Sequence, residues 1–353
     1  MERIHSNEKG IKRIMTLDRR IEVLSILGKE ILEKPIWLQD AVQSAYYANK
    51  WFTVDESWKA LLAIATHFLS KDVLLSWTSK YQITDDFEPK TVGLVLAGNI
   101  PLVGFHDVLC CFITGHNTLA KLSTKDEMLI KAIVGRLGEL EPEVSTRIFL
   151  KDRLKGFDAI IATGSNNSST YFEEYFGKYP NIIRKNRNAI AVISGDETDE
   201  DFIALGHDIF NYFGLGCRNV SKLYVPAGYK FDHMLGVLHE HYKELANHDK
   251  YRNNFDYNNA LFMLNKVAYL MSGSLIITES TAISSRIATV HYSYYDDLPS
   301  LENELSQREE EIQCIVAKLK LDKHRTFSFG EAQKPSILDY ADGIDTMEFL
   351  MNL

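Results

Sequence analysis

Apolar residues recur at helical spacing through the first quarter of the chain. Ile21, Leu24, Ile26, Leu27, Ile31 and Leu32 form one such stripe, and Trp58, Leu61, Leu62, Ile64 and Phe68 form another. Residues 1–88 therefore read as a helical region, with the dense aromatics at Tyr46, Tyr47, Trp51 and Phe52 as packing. The texture changes at Lys90, where short unbroken apolar runs begin to alternate with amphipathic ones. Strands are predicted over 91–97, 118–122, 146–150, 158–162, 189–193, 221–226 and 287–292. Helices are predicted over 102–114, 127–140, from Gly195 towards Gly214, over 232–246 with Asp232 as its cap, and as one charged helix over 298–319. Strands alternating with helices at these intervals specify an α/β protein with a parallel sheet and right-handed crossovers. The expected division is a helical region at 1–88, a nucleotide-binding parallel-sheet domain at 89–194, a second α/β domain at 195–325 and a C-terminal segment at 326–353.

A chain of 353 residues buries a substantial core, and 45% apolar with 25% charged residues is ordinary for a soluble globular protein. The net charge of -9 argues against nucleic acid as a partner. It does not exclude an anionic cofactor held by local basic groups. Cys110, Cys111, Cys217 and Cys314 make neither a disulfide framework nor a zinc pattern, so no metal is expected. No apolar run reaches the ~18 residues of a membrane span, and the polar start, Met1 to His5, lacks a signal-peptide core. A reducing cytoplasm is the expected setting.

The candidate chemistry centres on Phe213-Gly214-Leu215-Gly216-Cys217-Arg218-Asn219-Val220. Two glycines precede a cysteine, an arginine follows at once, and a strand runs on to Pro226. A thiolate in such a turn would be stabilised by the Arg218 guanidinium and by backbone N–H groups. Alone, a cysteine is more often a small buried hydrophobe. Ligands of parallel sheets sit at the carboxyl ends of strands, where Asn99, Lys121 and Gly164 would fall. No G-x-G-x-x-G follows the first strand, so a nucleotide would bind by another geometry, with Lys121 on phosphate or ribose. Arg184-Lys185-Asn186-Arg187 reads equally as a solvated turn or a phosphate contact. His239, His241 and His248 read as surface residues. Asp339, Asp342 and Asp345 read as caps and turn formers, since a calcium loop needs alternate positions.

The order of four motifs resembles the aldehyde dehydrogenase superfamily, and within it the acyl-CoA reductases of the bacterial bioluminescence type. They are Ala97-Gly98-Asn99-Ile100-Pro101-Leu102, Leu119-Ala120-Lys121-Leu122-Ser123, Ala162-Thr163-Gly164-Ser165 and Gly214-Leu215-Gly216-Cys217. The resemblance implies a Rossmann-like cofactor domain beside a catalytic domain. It implies Cys217 as nucleophile, Asn99 as an oxyanion donor, Lys121 with Ser123 and Thr124 on the cofactor ribose, and Thr163, Gly164 and Ser165 beside the cofactor. It also implies that the C-terminal segment returns as a strand that helps build a homodimer.

Two departures from that pattern refine the expectation. The glutamate that serves hydrolytic members as base has no counterpart in Ile182-Ile183-Arg184-Lys185-Asn186. Three residues after the lysine, where NAD-preferring members often carry a glutamate, stands Thr124, followed by Lys125, which favours NADPH. The expected activity is NADPH-dependent reduction of a long-chain acyl-CoA, or an acyl carrier protein thioester, to the aldehyde through an acyl-cysteine. The rivals are an oxidising aldehyde dehydrogenase, a cysteine acyltransferase or thioesterase without nicotinamide, and a non-catalytic subunit.

Overall fold

The computed structural model describes residues 15–164 and 166–353. The opening periodicity forms helices α1 (Leu17–Leu32), α2 (Ile36–Ala48), α3 (Val54–His67) and α4 (Lys71–Thr78). Thr16, Thr53 and Ser70 cap α1, α3 and α4 by accepting an otherwise orphaned N–H. Their apolar stripes do not pack on one another alone. Leu24, Leu27 and Leu61 share one core with Leu94 and Ile113 from the segment that follows, and each such side chain contributes about 1.5–3 kcal/mol by leaving water. Among the described residues no single helix is long and apolar enough to cross a membrane; α3 and α4 meet the test only together, and they are bent apart by 59°.

Next come β1 (Thr91–Val95), α5 (Phe105–Thr114), β2 (Asn117–Lys121), α6 (Glu127–Leu140), β3 (Ile148–Leu150), β4 (Ala159–Thr163), α7 (Asn166–Phe176) and β5 (Asn181–Arg184). They build a parallel five-stranded sheet in the order β3-β2-β1-β4-β5. The order reverses between β1 and β4, and the crevice at such a switch point is where open α/β sheets bind ligands. The loops after β1, β2 and β4 carry Asn99, Lys121–Thr124 and Gly164 to that edge.

The second sheet uses β6 (Asn188–Val192), α8 (Asp199–Phe210), β7 (Val220–Pro226), α9 (Asp232–Tyr242), α10 (Asp249–Leu264), β8 (Tyr269–Met271), β9 (Ile276–Glu279), β10 (Thr289–Tyr295), α11 (Leu298–Gln307), β11 (Ile312–Ala317) and β12 (Thr326–Phe327). Its seven strands run in the order β12-β11-β6-β7-β10-β9-β8, parallel except for the β8–β9 pair. The strand over 188–192, grouped by sequence position with the nucleotide-binding segment, pairs here between β7 and β11.

The charged helix expected over 298–319 is a correction. Asp297 caps α11, which ends at Gln307, and Ile312–Ala317 is an inner strand of the second sheet. The acidic run Glu309-Glu310-Glu311 extends the polar look of a helix, but the β-branched residues after it are buried on both faces. Asp232 is not a cap either, because Phe231 occupies that position and Asp232 is the first helical residue. His248 is half-buried, stacked on Phe213 at 4.3 Å and on Trp51 at 5.2 Å.

The C-terminal segment does two things. Thr326–Phe327 joins the second sheet as its edge strand. A last helix, α12 (Thr346–Met351), returns to the first core, where Met347 and Leu350 are fully buried. Asp345 caps it, and Asp339 accepts the Ser336 N–H, so both aspartates act as turn formers.

Candidate active site

Cys217 lies in the turn between α8 and β7. Three consecutive residues before it, Tyr212, Phe213 and Gly214, adopt left-handed backbone at φ of 53°, 57° and 74°. Only the glycine does so without a Cβ clash, so the turn is strained and must be held from outside. Glu56 of α3 accepts the Tyr212 N–H at 2.8 Å, and the Trp51–His248–Phe213 stack clamps the next residue. Asn219 holds the far side. Its side-chain oxygen accepts the Gly216 N–H at 2.7 Å, and its amide donates to the carbonyls of Asp208, Ile209 and Asn211. Neither Glu56 nor Asn219 was singled out from the sequence; an asparagine two residues after a cysteine in a glycine turn was the available signal.

One cleft of about 650 Å³ gathers Asn99, Lys121, Ser123, Thr124, Thr163, Gly164 and Cys217. Arg184, Lys185, Asn186 and Asp342 also face it. Ser165 lies outside the described residues. Asn99 donates its side-chain amide to the Leu215 carbonyl at 2.5 Å, which ties the loop after β1 to the cysteine turn. That loop is also held from below. Asp126 accepts the N–H of Leu102, a left-handed residue at φ 59°, over 2.7 Å. A Cβ at Gly98 would meet Ser123 at 2.6 Å and Asp126 at 3.1 Å, so the Asn99 and Ser123 loops are in direct contact and only glycine fits there.

Arg218 points away from this cleft. Its Nε donates to the Ala332 carbonyl at 2.8 Å and its guanidinium lies 5.2 Å from the Phe327 ring. Its Nη2 is buried with no hydrogen-bond partner among the described residues. The expected thiolate stabilisation is therefore not the largest influence on the nucleophile. Burial pushes the Cys217 thiol up, Arg218 opposes this, and Asp342 adds to the rise. Cys110, Cys111 and Cys314 are buried thiols, each pushed further up by burial.

The region that lacks the family glutamate carries Arg184 instead. Its guanidinium is buried and pairs with Asp107 at 2.6 Å, and a second nitrogen donates to Thr346 of α12 at 2.9 Å. The basic cluster is thus split. Arg184 is a buried structural cation whose edge faces the cleft, and Arg187 lies 3.5 Å from Asp342.

Cys217 also lines a smaller pocket of about 180 Å³. Ala60, Ala63 and Ile64 of α3 and Phe68 just after it line the pocket together with Ile100 and Val103. His106 borders both cavities. Its Nε2 lies 3.0 Å from the Ile337 carbonyl, and burial pushes its ring below the ordinary histidine range. Among the described residues no group of three or more His, Cys, Asp or Glu residues could hold a metal ion.

No protein-family model matches the chain. It is 22% identical over 332 residues to long-chain acyl-protein thioester reductase 2 of Photobacterium leiognathi, covering 80% of this chain and 68% of that one. In structure it is similar to aldehyde dehydrogenase 21 of Physcomitrella patens, solved with the reaction product succinate. The TM-score is 0.64 at 13% identity, over 96% of this chain and 85% of that one. It is also similar to a Mycobacterium tuberculosis aldehyde dehydrogenase complexed with NAD+ (TM-score 0.61, 12% identity, 83% and 71% covered) and to an Escherichia coli NADP dependent enzyme (0.62, 13%, 87% and 74%). The resemblance carried by the four motifs and the arrangement of the two sheets thus lead to one conclusion: the chain has the aldehyde dehydrogenase fold and is similar in sequence to a long-chain acyl-protein thioester reductase.

Proposed function

We propose that the chain reduces a long-chain acyl thioester to the aldehyde through an acyl-cysteine on Cys217. The observation that supports it best is the position of Cys217 between two unlike cavities. One is a cleft at the sheet switch point rich in polar side chains, and the other is a smaller pocket with an apolar wall from α3 and polar groups such as Arg218, Gln333 and Lys334 at its border. A nucleotide suits the first, an alkyl chain the second, and only the reacting carbonyl would need to meet the sulfur between them.

The cleft residues fit a nicotinamide dinucleotide. Lys121 ends β2 and Ser123 and Thr124 follow in the next loop, offering a cation and hydroxyls to a ribose, and Gly164 lies between β4 and α7. Thr124 and Lys125 tolerate a 2′-phosphate, which favours NADPH. Bound there, the dinucleotide would supply the hydride. The chain's own residues do the rest. The Cys217 sulfur attacks the thioester carbonyl, and the donor leaves as a thiol. The Asn99 amide, released from Leu215, and the Cys217 N–H hold the oxyanion. The segment 182–186 carries no carboxylate, so the base implied for hydrolytic members of the resembled superfamily has no counterpart there. The apolar pocket gives the N-terminal helical region its role in holding the chain.

Intact-mass measurement tests this reading. Wild type and Cys217→Ala are mixed with a long-chain acyl-CoA, and NADPH is then added. One acyl adduct on wild type alone, discharged as aldehyde, is expected. An adduct that ignores NADPH would favour an acyltransferase. Oxidation of aldehyde by NADP+ without any thiol acceptor would favour an oxidising dehydrogenase. No adduct from any thioester would overturn the reading.

A further inference from the structure

Cys217 poses a problem that the four motifs do not solve. Burial holds its proton on, and the arginine beside it is turned towards Ala332 and Phe327. A nucleophile in that state needs a base within reach. The segment 182–186 supplies no carboxylate, and its Arg184 is committed to Asp107. The cleft nevertheless contains a carboxylate, and it comes from the C-terminal segment.

Asp342 lines the same cleft as Cys217, and its side chain is only 8% exposed. Its neighbour Ala341 lines both cavities, so this turn passes directly beside the sulfur's two approaches. Asp342 and Gly343 are both left-handed, at φ 58° and 69°. A non-glycine residue rarely holds that conformation unless its surroundings fix it. They do so here. Arg187 lies 3.5 Å from the carboxylate, the Lys185 N–H donates to it, and Arg184 is the next cation inward, itself balanced by Asp107. The aspartate is thus anchored at the cleft wall with an oriented carboxylate.

We propose that Asp342 is the base that receives the Cys217 thiol proton, relayed through water in the cleft that the two residues share. This rests on the acyl-thioester reading only for the identity of the acyl donor. As the Cys217 sulfur bonds to the acyl carbon, its proton passes to the Asp342 carboxylate. When the bond from that carbon to the donor sulfur breaks, the departing thiolate takes the proton from the Asp342 carboxyl. Asp342 returns to the carboxylate, and no oxidant or reductant is consumed. Burial pushes the Asp342 carboxyl above the ordinary aspartate range, and Arg187 and Arg184 oppose the rise, a direction that strengthens the group as a proton acceptor.

The test separates this role from a structural one by two readouts that move in opposite directions. Asp342→Asn keeps the size of the side chain and removes a negative charge near the sulfur. Alkylation of Cys217 by iodoacetamide requires only the thiolate, so Asp342→Asn is expected to alkylate at least as fast as wild type. Acylation by p-nitrophenyl octanoate, followed by the nitrophenolate burst, is expected to fall about 10²-fold, the low end of general-base effects. Its pH profile should change from a plateau to a steady climb towards the thiol's own titration, and Asp342→Glu should restore part of the rate. A burst within about threefold of wild type, or alkylation and burst falling together, would overturn the proposal. So would a wild type that gives no burst. A normal burst with no adduct from acyl-CoA would instead overturn the substrate reading and leave Asp342 as the base.

Discussion

Asn99 reaches across from the first sheet to the second, giving its side-chain amide to the Leu215 carbonyl two residues before Cys217. The same amide has to be free to donate to an oxyanion during acyl transfer. Its present partner keeps it pointed at the cysteine turn, so little reorganisation is needed when a substrate carbonyl arrives. Asn99→Ala is expected to lower single-turnover acylation of Cys217 by about 10²–10³-fold, as loss of one oxyanion donor does elsewhere. Iodoacetamide should still label the thiol. An acylation rate equal to wild type would remove Asn99 from the chemistry.

Asp126 supports the strained end of the Asn99 loop and makes stability depend on pH. Burial pushes its carboxyl up to about 8, with the Leu102 N–H opposing. Unfolded, the group would release its proton near 4. Between those values the folded chain binds more protons than the unfolded one, so raising the pH across this window removes stability. Asp126→Asn keeps an acceptor for Leu102 and stays neutral throughout. Its melting temperature relative to wild type is expected to rise steadily from pH 5 to pH 8. A difference that is flat with pH would mean that Asp126 does not titrate in this range.

The fold was legible where pattern and burial agree. Strands β1, β2 and β4 are short apolar runs, and their loop residues Asn99, Lys121 and Gly164 follow from the rule that parallel sheets bind at carboxyl ends. The reading failed at 298–319, where acidic residues before β11 hid a buried strand. The candidate cleft was legible from β1 to Cys217 because its motifs are local. Asp342 was not, since nothing in a C-terminal Asp-Gly says which distant turn it will face, whereas Asn219 lies in the cysteine turn itself and its hydrogen bonds to Gly216 and to Asp208, Ile209 and Asn211 are all local. Arg218 opposes the rise of the Cys217 thiol, as adjacency suggests, but adjacency in sequence does not fix the direction of a long side chain, and its guanidinium lies against Ala332 and Phe327.

Ala63 stands half-buried on the pocket face of α3. Ala63→Trp would fill that space. Each methylene kept out of the pocket forfeits about 0.8 kcal/mol, so excluding three of them should cost about 2.4 kcal/mol in acyl transfer. The expected result is a sharp loss of activity on long chains with short chains spared, read as kcat/KM across a series of acyl-CoA lengths. Equal losses at every length would place the acyl chain elsewhere.

Thr124 and Lys125 border the cleft beyond Lys121. A carboxylate at 124 would repel a 2′-phosphate and accept from free ribose hydroxyls. Thr124→Glu should therefore shift the NADPH-to-NADH preference by about tenfold or more towards NADH. Lys125→Ala should weaken NADPH alone. Preferences unchanged in both variants would assign cofactor choice to other residues.

Arg184 joins three elements at one buried point: its own strand β5, Asp107 on α5 and Thr346 on α12. Its side chain is 4% exposed and that of Asp107 8%, so water cannot replace either partner. Arg184→Met leaves a buried carboxylate without its cation and Thr346 without its donor. Breaking such a pair typically costs about 3–5 kcal/mol, whereas replacing both members by apolar groups is often far milder. The expected outcome in urea unfolding is a large loss for Arg184→Met and partial recovery for Asp107→Leu combined with Arg184→Met. Because α12 is docked partly through Thr346, the single variant should also expose the C-terminal helix to protease ahead of global unfolding. The double variant should keep that exposure, since it restores no donor to Thr346. If both variants unfold at the wild-type urea concentration, the pair contributes nothing to the fold, and Arg184 is retained for the cleft it borders rather than for the structure beneath it.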